Sequence, residues 1–283
     1  MLERTFCHFP GVTVSSERAI WLSGIACWDD AERECGAVVE DALRTTIQEQ
    51  LPLSRAAMRA GDLAYFARTL PVTESWRLYR DFRDRVVYLD IETTGLGKGT
   101  DFITTIAAYD GQKLEYFVRG VNLDHFPAYM RSVEMLVTYN GKAFDMPFIE
   151  HEFREAFSPV HLDLMYILRS VGIRGGLKKC ERQLGLARGD LEGVDGYTAV
   201  LLWREYRRSG NPRALETLLA YNSLDVLNLE PLMITAFNRK VQGLPFGEEL
   251  QLPMPQWQPS SPYEPDADLV AHLQDARRYQ GFR

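Results

Sequence analysis

The chain has 283 residues, 46% hydrophobic and 25% charged, with a formal net charge of −7. This is the balance of a globular protein that buries a sizeable core, and the length suggests about two domains. The negative balance argues against broad, non-specific attraction to a polyanion. No apolar stretch approaches the roughly 20 residues of a membrane span. The opening "MLERTFCHFPG" lacks the basic-then-apolar build of a secretory signal, so a cytoplasmic location is expected. Cys7, Cys27, Cys35 and Cys180 contain no C-x-x-C pair, and the five histidines form no H-x-x-x-H pattern. The thiols read as reduced and mostly buried, and a metal in this chain would have to be held by carboxylates.

Residues 1–84 read as a helical accessory region, with amphipathic runs such as "DDAERECGAVVEDALRTTIQEQL". Within it, "FPGVTVSSERAIWLSGIACWDD" faintly resembles a helix-hairpin-helix DNA-binding unit. Thr13 stands where the second hairpin glycine is expected, and without that glycine the backbone N–H groups lose their approach to phosphate. The region is therefore read as a structural helical module.

The second region, 85–240, opens with "VVYLDIETTGLG" (Val86–Gly97), a strand pattern broken at Thr93-Thr94-Gly95. Two β-like runs follow, "FITTIAAY" and "KLEYFVRG", with Asp110-Gly111 supplying a hairpin turn between them. A fourth run, "MLVTYN", comes after a short helical segment. From about 144 to 240 the pattern is mainly helical. Meandering strands, a helix, a further strand and then helices predict a mixed α/β layer architecture. The third region, 241–283, carries the Pro-rich "LPMPQWQPSSPYEP" and reads as an extended, poorly ordered arm with a short terminal helix.

A strand alternates faces with period two, so Asp90 and Glu92 share one face with Tyr88, while Val87, Leu89 and Ile91 share the other. Two carboxylates at one spot suit a hard divalent cation, but D-x-E is short and equally describes acids facing water. In "VTYNGKAFDMPFI", Asp145 lies just past a strand, with Pro147 marking a helix start. In "LLAYNSLDVLNL", Tyr221 and Asp225 stand at i, i+4 on one helix face; alone they also fit a packed Tyr beside a solvated Asp.

Taken in order, D-x-E, N-x-x-x-F-D and Y-x-x-x-D resemble the DEDDy exonucleases of the ribonuclease-H-like superfamily. The likeness is nearest to the YprB-like branch and to proofreading domains of family B DNA polymerases, and it covers about residues 85–240. The resemblance implies a ribonuclease-H-like mixed β-sheet flanked by helices. It implies metal-dependent 3′→5′ hydrolysis of DNA or RNA, with Asp90, Glu92, Asp145 and Asp225 holding two Mg²⁺ or Mn²⁺ ions and Tyr221 orienting the attacking water. Asp163, in "HLDLMYILRS", falls between the second and third motifs and is expected to be structural or to support the metal-binding acids from behind.

The expected partner is a nucleic-acid 3′ end, with Thr93, Asn140, Arg174, Lys178 and Lys179 as candidate contacts. "RGGLKKCERQLGLAR" sets Arg174, Lys178, Lys179, Arg182 and Arg188 against Glu181 alone, either as a solvated helix face or as a surface that tracks the strand backbone. The rival reading is a non-catalytic nucleic-acid-binding or scaffold protein that keeps the fold.

Overall fold

The computed structural model describes residues 1–38, 41–256 and 259–280. Val39 and Glu40 of the helical run, the Cys35 side chain, and Trp257 and Gln258 of the Pro-rich stretch lie outside the described residues. Two compact units form: Met1–Asp84 with Ile234–Pro253, and Arg85–Met233 with Met254–Arg283.

The first unit is helical, built on Val14–Leu22, Trp28–Val38, Asp41–Ala60 and Leu63–Thr69. Thr13 caps the first of these: its hydroxyl accepts the Ser16 N–H at 3.1 Å, and the Ser16 hydroxyl accepts the Thr13 N–H at 2.8 Å. The position where a hairpin glycine would admit a phosphate is thus a helix cap. Glu17, on the same helix, is fully buried and accepts the N–H groups of Phe6 at 2.6 Å and Cys7 at 3.0 Å. It is paired at 2.8 Å with Arg77, whose Nε donates to Glu74 at 2.8 Å. The Arg77 guanidinium lies over the Trp21 and Trp76 rings, and Trp76 meets Phe237 edge-on. Residues 234–253, read from the sequence partly as nuclease helix and partly as Pro-rich arm, group with this helical unit.

The second unit holds a five-stranded mixed sheet flanked by helices, in the order β3-β2-β1-β4-β5. The strands are β1 Val86–Thr93, β2 Ile103–Tyr109, β3 Leu114–Val118, β4 Met135–Thr138 and β5 Val160–Asp163. The β2–β3 turn forms at Asp110-Gly111: the Asp110 carboxylate accepts the N–H groups of Gln112 and Lys113, and Gly111 takes φ +92°. Sequence pattern missed β5, because four residues are too few to show a period. It forms by parallel pairing with β4, from Met135–Val160 to Thr138–Asp163.

The period-two reading of β1 holds. Val87, Leu89 and Ile91 join Ile106, Phe117, Phe126 and Phe148 in one core. The second core gathers Leu202, Trp203, Leu218 and Tyr221 with Val270. Val270 belongs to the terminal helix expected after the Pro-rich stretch, Ala267–Gln280, which packs on this core where the sequence suggested a poorly ordered arm. Tyr263 of the Pro-rich stretch packs on this core, and Leu269, Val270 and Leu273 beyond it supply an apolar face that does the same. Among the described residues no helix is long and apolar enough to cross a membrane.

Candidate active site

β1 is the central strand, and its two neighbours cover it unequally. Antiparallel β2 pairs with it as far as Thr93, with a register shift after Glu92. Parallel β4 pairs only with Val86–Tyr88. Asp90 and Glu92 therefore lie beyond the paired stretch of β4, where the sheet opens.

The turn that follows β4 is rigidly built. Asn140 adopts φ 62°, and the Asp163 carboxylate accepts the N–H groups of Asn140 at 2.9 Å and Lys142 at 3.1 Å. Asp163 also caps the helix Leu164–Ser170 through the Met165 N–H, which is the structural role expected of it. A Cβ on Gly141 would sit 2.1 Å from the Thr138 hydroxyl, so only glycine fits there. This turn delivers Asp145, nearly fully buried, as the first residue of the helix Asp145–Phe153.

Asp225 comes from the long helix Pro212–Val241. Carboxylate oxygens of Asp90, Glu92 and Asp225 lie within 4.8 Å of one another. Asp145 stands outside that trio, yet its charge acts on both Asp90 and Glu92.

Crowding acids into a desolvated site suppresses their ionisation. Burial, then the charges of Asp225, Glu92 and Asp145, hold the Asp90 carboxyl well above the usual carboxylate range, against the Asn222 amide. Burial and Asp225 do the same to Glu92, opposed by Lys178 and Arg188. Burial pushes Asp145 up to about 7, with Asp163 adding to it, while the N–H groups of Asp145 itself and Ile91 work in the other direction.

Two cations face this surplus. Arg188 is buried, donating to Glu181 at 2.6 Å and also to Asp225, and Glu181 accepts a second bond from Asn228 at 2.8 Å. The Lys178 ammonium donates to the Tyr221 hydroxyl and to the Val194 carbonyl, and lies 4.5 Å from the Tyr221 ring centroid. Burial, then Asp225, Glu92 and Asp90, keep the Tyr221 phenol well above its ordinary value, so at neutral pH it retains its proton. Asp90, Tyr139, Lys178, Lys179, Arg182, Tyr221 and Asp225 line a groove of about 420 Å³.

Residues 87–237, just over half of the chain, match the RNase_H superfamily. The chain belongs to that superfamily. Over 174 residues it is 30% identical to YprB of Bacillus subtilis (strain 168), an alignment spanning 54% of this chain and 42% of YprB. The chain thus matches less than half the length of that relative. Among solved structures, it is similar to the family B DNA polymerase of the hyperthermophilic archaeon Pyrobaculum calidifontis, with TM-score 0.43 and 15% identity over 59% of this chain and 27% of that one. It is also similar to NrnC of Brucella melitensis bound to pGG, with TM-score 0.39 and 17% identity over 60% of this chain and 81% of that one.

Within the RNase_H superfamily domain, then, Asp90, Glu92 and Asp225 converge, with Tyr221 on the same groove as Asp90 and Asp225. The basic segment divides in two. Arg188 turns inward to its acid partners and Lys178 turns toward Tyr221, so neither belongs to a solvated face. Arg174, Lys179 and Arg182 stay exposed. Thr93 is buried, its hydroxyl donating to the Gly95 carbonyl at 2.6 Å, and Asn140 serves the turn through its backbone.

Asn222 went unread in the sequence. Its amide donates to Asp90 Oδ2 at 2.7 Å and its carbonyl accepts from the Thr105 hydroxyl at 3.1 Å. It lies one residue after Tyr221 and three before Asp225, and that proximity was the available signal. Glu181 and Asn228 left no comparable mark.

Proposed function

We propose that this chain is a metal-dependent 3′→5′ exonuclease of the DEDDy type, acting on DNA or RNA. The observation that carries the proposal is the convergence of Asp90, Glu92 and Asp225, from a strand and a helix far apart in sequence, on one point with uncompensated negative charge. The donor set fits the group: clustered, hard carboxylate oxygens suit Mg²⁺ or Mn²⁺. Asp90, Glu92, Asp145 and Asp225 would hold two such ions. Bound there, divalent cations supply an acidified water and neutralise charge on the leaving oxygen.

The chain's own groups do the positioning. Asn222 occupies Oδ2 of Asp90 and leaves its other oxygen free to coordinate. Arg188 holds Asp225 by one oxygen and fixes its rotamer. Lys178 donates to the Tyr221 oxygen, so the phenolic proton is free to be given to a water or a phosphate oxygen. A phenol kept protonated is a hydrogen-bond donor that orients water, not a base that deprotonates it. Lys179 and Arg182, exposed on the same groove, are placed to meet phosphates of the incoming strand.

The test is hydrolysis of 5′-labelled DNA and RNA oligonucleotides with Mg²⁺, Mn²⁺ or EDTA, beside the Asp90→Asn variant. Stepwise shortening from a free 3′ end, abolished by EDTA and reduced about 10³-fold or more in the variant, is expected. Equal activity of the variant would overturn the site assignment. Binding without hydrolysis by the wild type under every metal condition would favour the non-catalytic reading.

A further inference from the structure

A second groove, of about 410 Å³, is lined by Thr94, Phe102, Trp203, Arg204, Arg207 and Arg208. It starts two residues past Glu92, where β1 breaks. Arg204, Arg207 and Arg208 stand at i, i+3 and i+4 on the helix Gly196–Ser209 and are all exposed, while Trp203 is buried. Arg208 pairs with Glu205 at 2.8 Å; Arg204 and Arg207 make no ion pair among the described residues. On a chain of net charge −7, two unpaired guanidinium groups on one wall are a local reversal of sign.

Facing them is an aromatic surface held in place. Phe102, the residue just before β2, is 39% exposed, a large apolar ring left open to solvent. Its backbone is bonded both ways to Thr94: the Thr94 N–H donates to the Phe102 carbonyl at 3.0 Å, and the Phe102 N–H donates to the Thr94 hydroxyl at 3.1 Å. The Arg119 guanidinium lies 4.5 Å from the ring centroid and is itself tied to Glu152 and to the Ile103 carbonyl. The ring is therefore a pre-set platform, with its orientation decided before any ligand arrives.

We propose that this groove binds single-stranded nucleic acid, stacking a base on Phe102 and holding flanking phosphates with Arg204 and Arg207. The juxtaposition of a fixed aromatic platform with free guanidinium forks is what a base-and-phosphate polymer requires. An acidic peptide would use the arginines but not the ring. The inference rests on the nucleic-acid reading of the acid cluster and deepens it. It adds a contact for the strand away from the reacting end, on a wall that the Lys179–Arg182 groove does not include.

The test is fluorescence anisotropy with a labelled 20-nucleotide oligo(dT) in EDTA, over a salt series, using the full chain. Arg204→Glu/Arg207→Glu should weaken binding about tenfold or more and reduce the log–log salt slope by about 1.4, two phosphates at about 0.7 each. Phe102→Ala should weaken binding about tenfold with the slope unchanged, because stacking is not counterion-linked. All three positions are exposed, and unchanged melting temperatures would show that the variants fold. Wild-type affinity and slope in the double arginine variant would overturn the proposal. So would a Phe102→Ala variant that binds as wild type, or displacement of the oligonucleotide by poly-glutamate at equal charge concentration, since either outcome marks a generic polyanion patch. Binding is read in EDTA and does not depend on turnover, so a failed hydrolysis assay bears on the acid cluster alone.

Discussion

Each compact unit buries a cluster of charges, and the two clusters are composed differently. In the helical unit, Glu17 and Glu74 face Arg77, with the Lys240 ammonium near enough for the Glu74 charge to act on it and lying over the Trp76 ring. Two anions meet two cations, and the carboxylate of Glu17 is further occupied by backbone N–H groups. In the RNase_H superfamily unit, Asp90, Glu92, Asp145, Asp225 and Glu181 face, among the described residues, Arg188 and Lys178. A balanced cluster closed by tryptophans holds the fold together and needs nothing more. An unbalanced one at an open sheet end retains a free-energy cost that a bound cation would relieve. Burial of charge is common to both clusters; the sign of the remainder separates them.

The comparison breaks most visibly at Arg77. Arg77→Met should destabilise the chain by about 3–5 kcal/mol, because it strands Glu17 and Glu74 without their partner. Urea denaturation would measure this, and a loss below about 1 kcal/mol would show that the pair is not structural.

Aspartates of the other cluster should not behave alike. In EDTA, Asp90→Asn should raise stability by about 1 kcal/mol, since it removes a like-charge neighbour. Asp225→Asn should lower it by about 2 kcal/mol, since it leaves buried Arg188 with Glu181 alone. Equal shifts in the two variants would contradict the Arg188–Asp225 pair.

Acid titration separates the units more gently. The folded chain keeps the proton of Asp145 up to about pH 7, whereas the unfolded chain loses it near pH 4. The folded state then binds more protons, so the contribution of this group to metal-free stability falls as pH climbs through that window, by about 4 kcal/mol, and levels off above it. Asp90 and Glu92, displaced in the same direction, add to the fall. Millimolar Mg²⁺ or Mn²⁺ should flatten the curve by favouring the ionised forms, and Asp145→Asn should flatten part of it without metal. Buried His8 and His161, held down to about 3 and about 4, act in the opposite sense below pH 6.5, so the Asp145 contribution is read as the wild-type profile minus that of Asp145→Asn, and coincident metal-free profiles would refute the assignment.

The smallest effects divide the basic segment. Lys178→Met and Tyr221→Phe should each lower single-turnover rates about tenfold with little change in affinity, as both act on the same hydroxyl. Lys179→Glu/Arg182→Glu should instead weaken strand binding several-fold and reduce its salt dependence. The reverse pattern would return Lys178 to the surface role that the linear sequence suggested.

What the sequence determined by itself was local and periodic. Period two put Asp90 and Glu92 on one face of β1, period 3.6 put Tyr221 and Asp225 one turn apart, and Asp110-Gly111 set the hairpin, because the backbone imposes these spacings wherever the segment ends up. The mixed, helix-flanked sheet followed from the order of such segments. Only tertiary structure decided the pairings whose partners are remote: Arg188 with Asp225, 37 residues on, Asn222 with Asp90, 132 residues back, and Val270 with the helix core. An arginine in a basic run carries no mark of facing inward, and four residues of β5 carry no period. Their places are set by which elements pack together, and that packing is where the surplus charge of the candidate site arises.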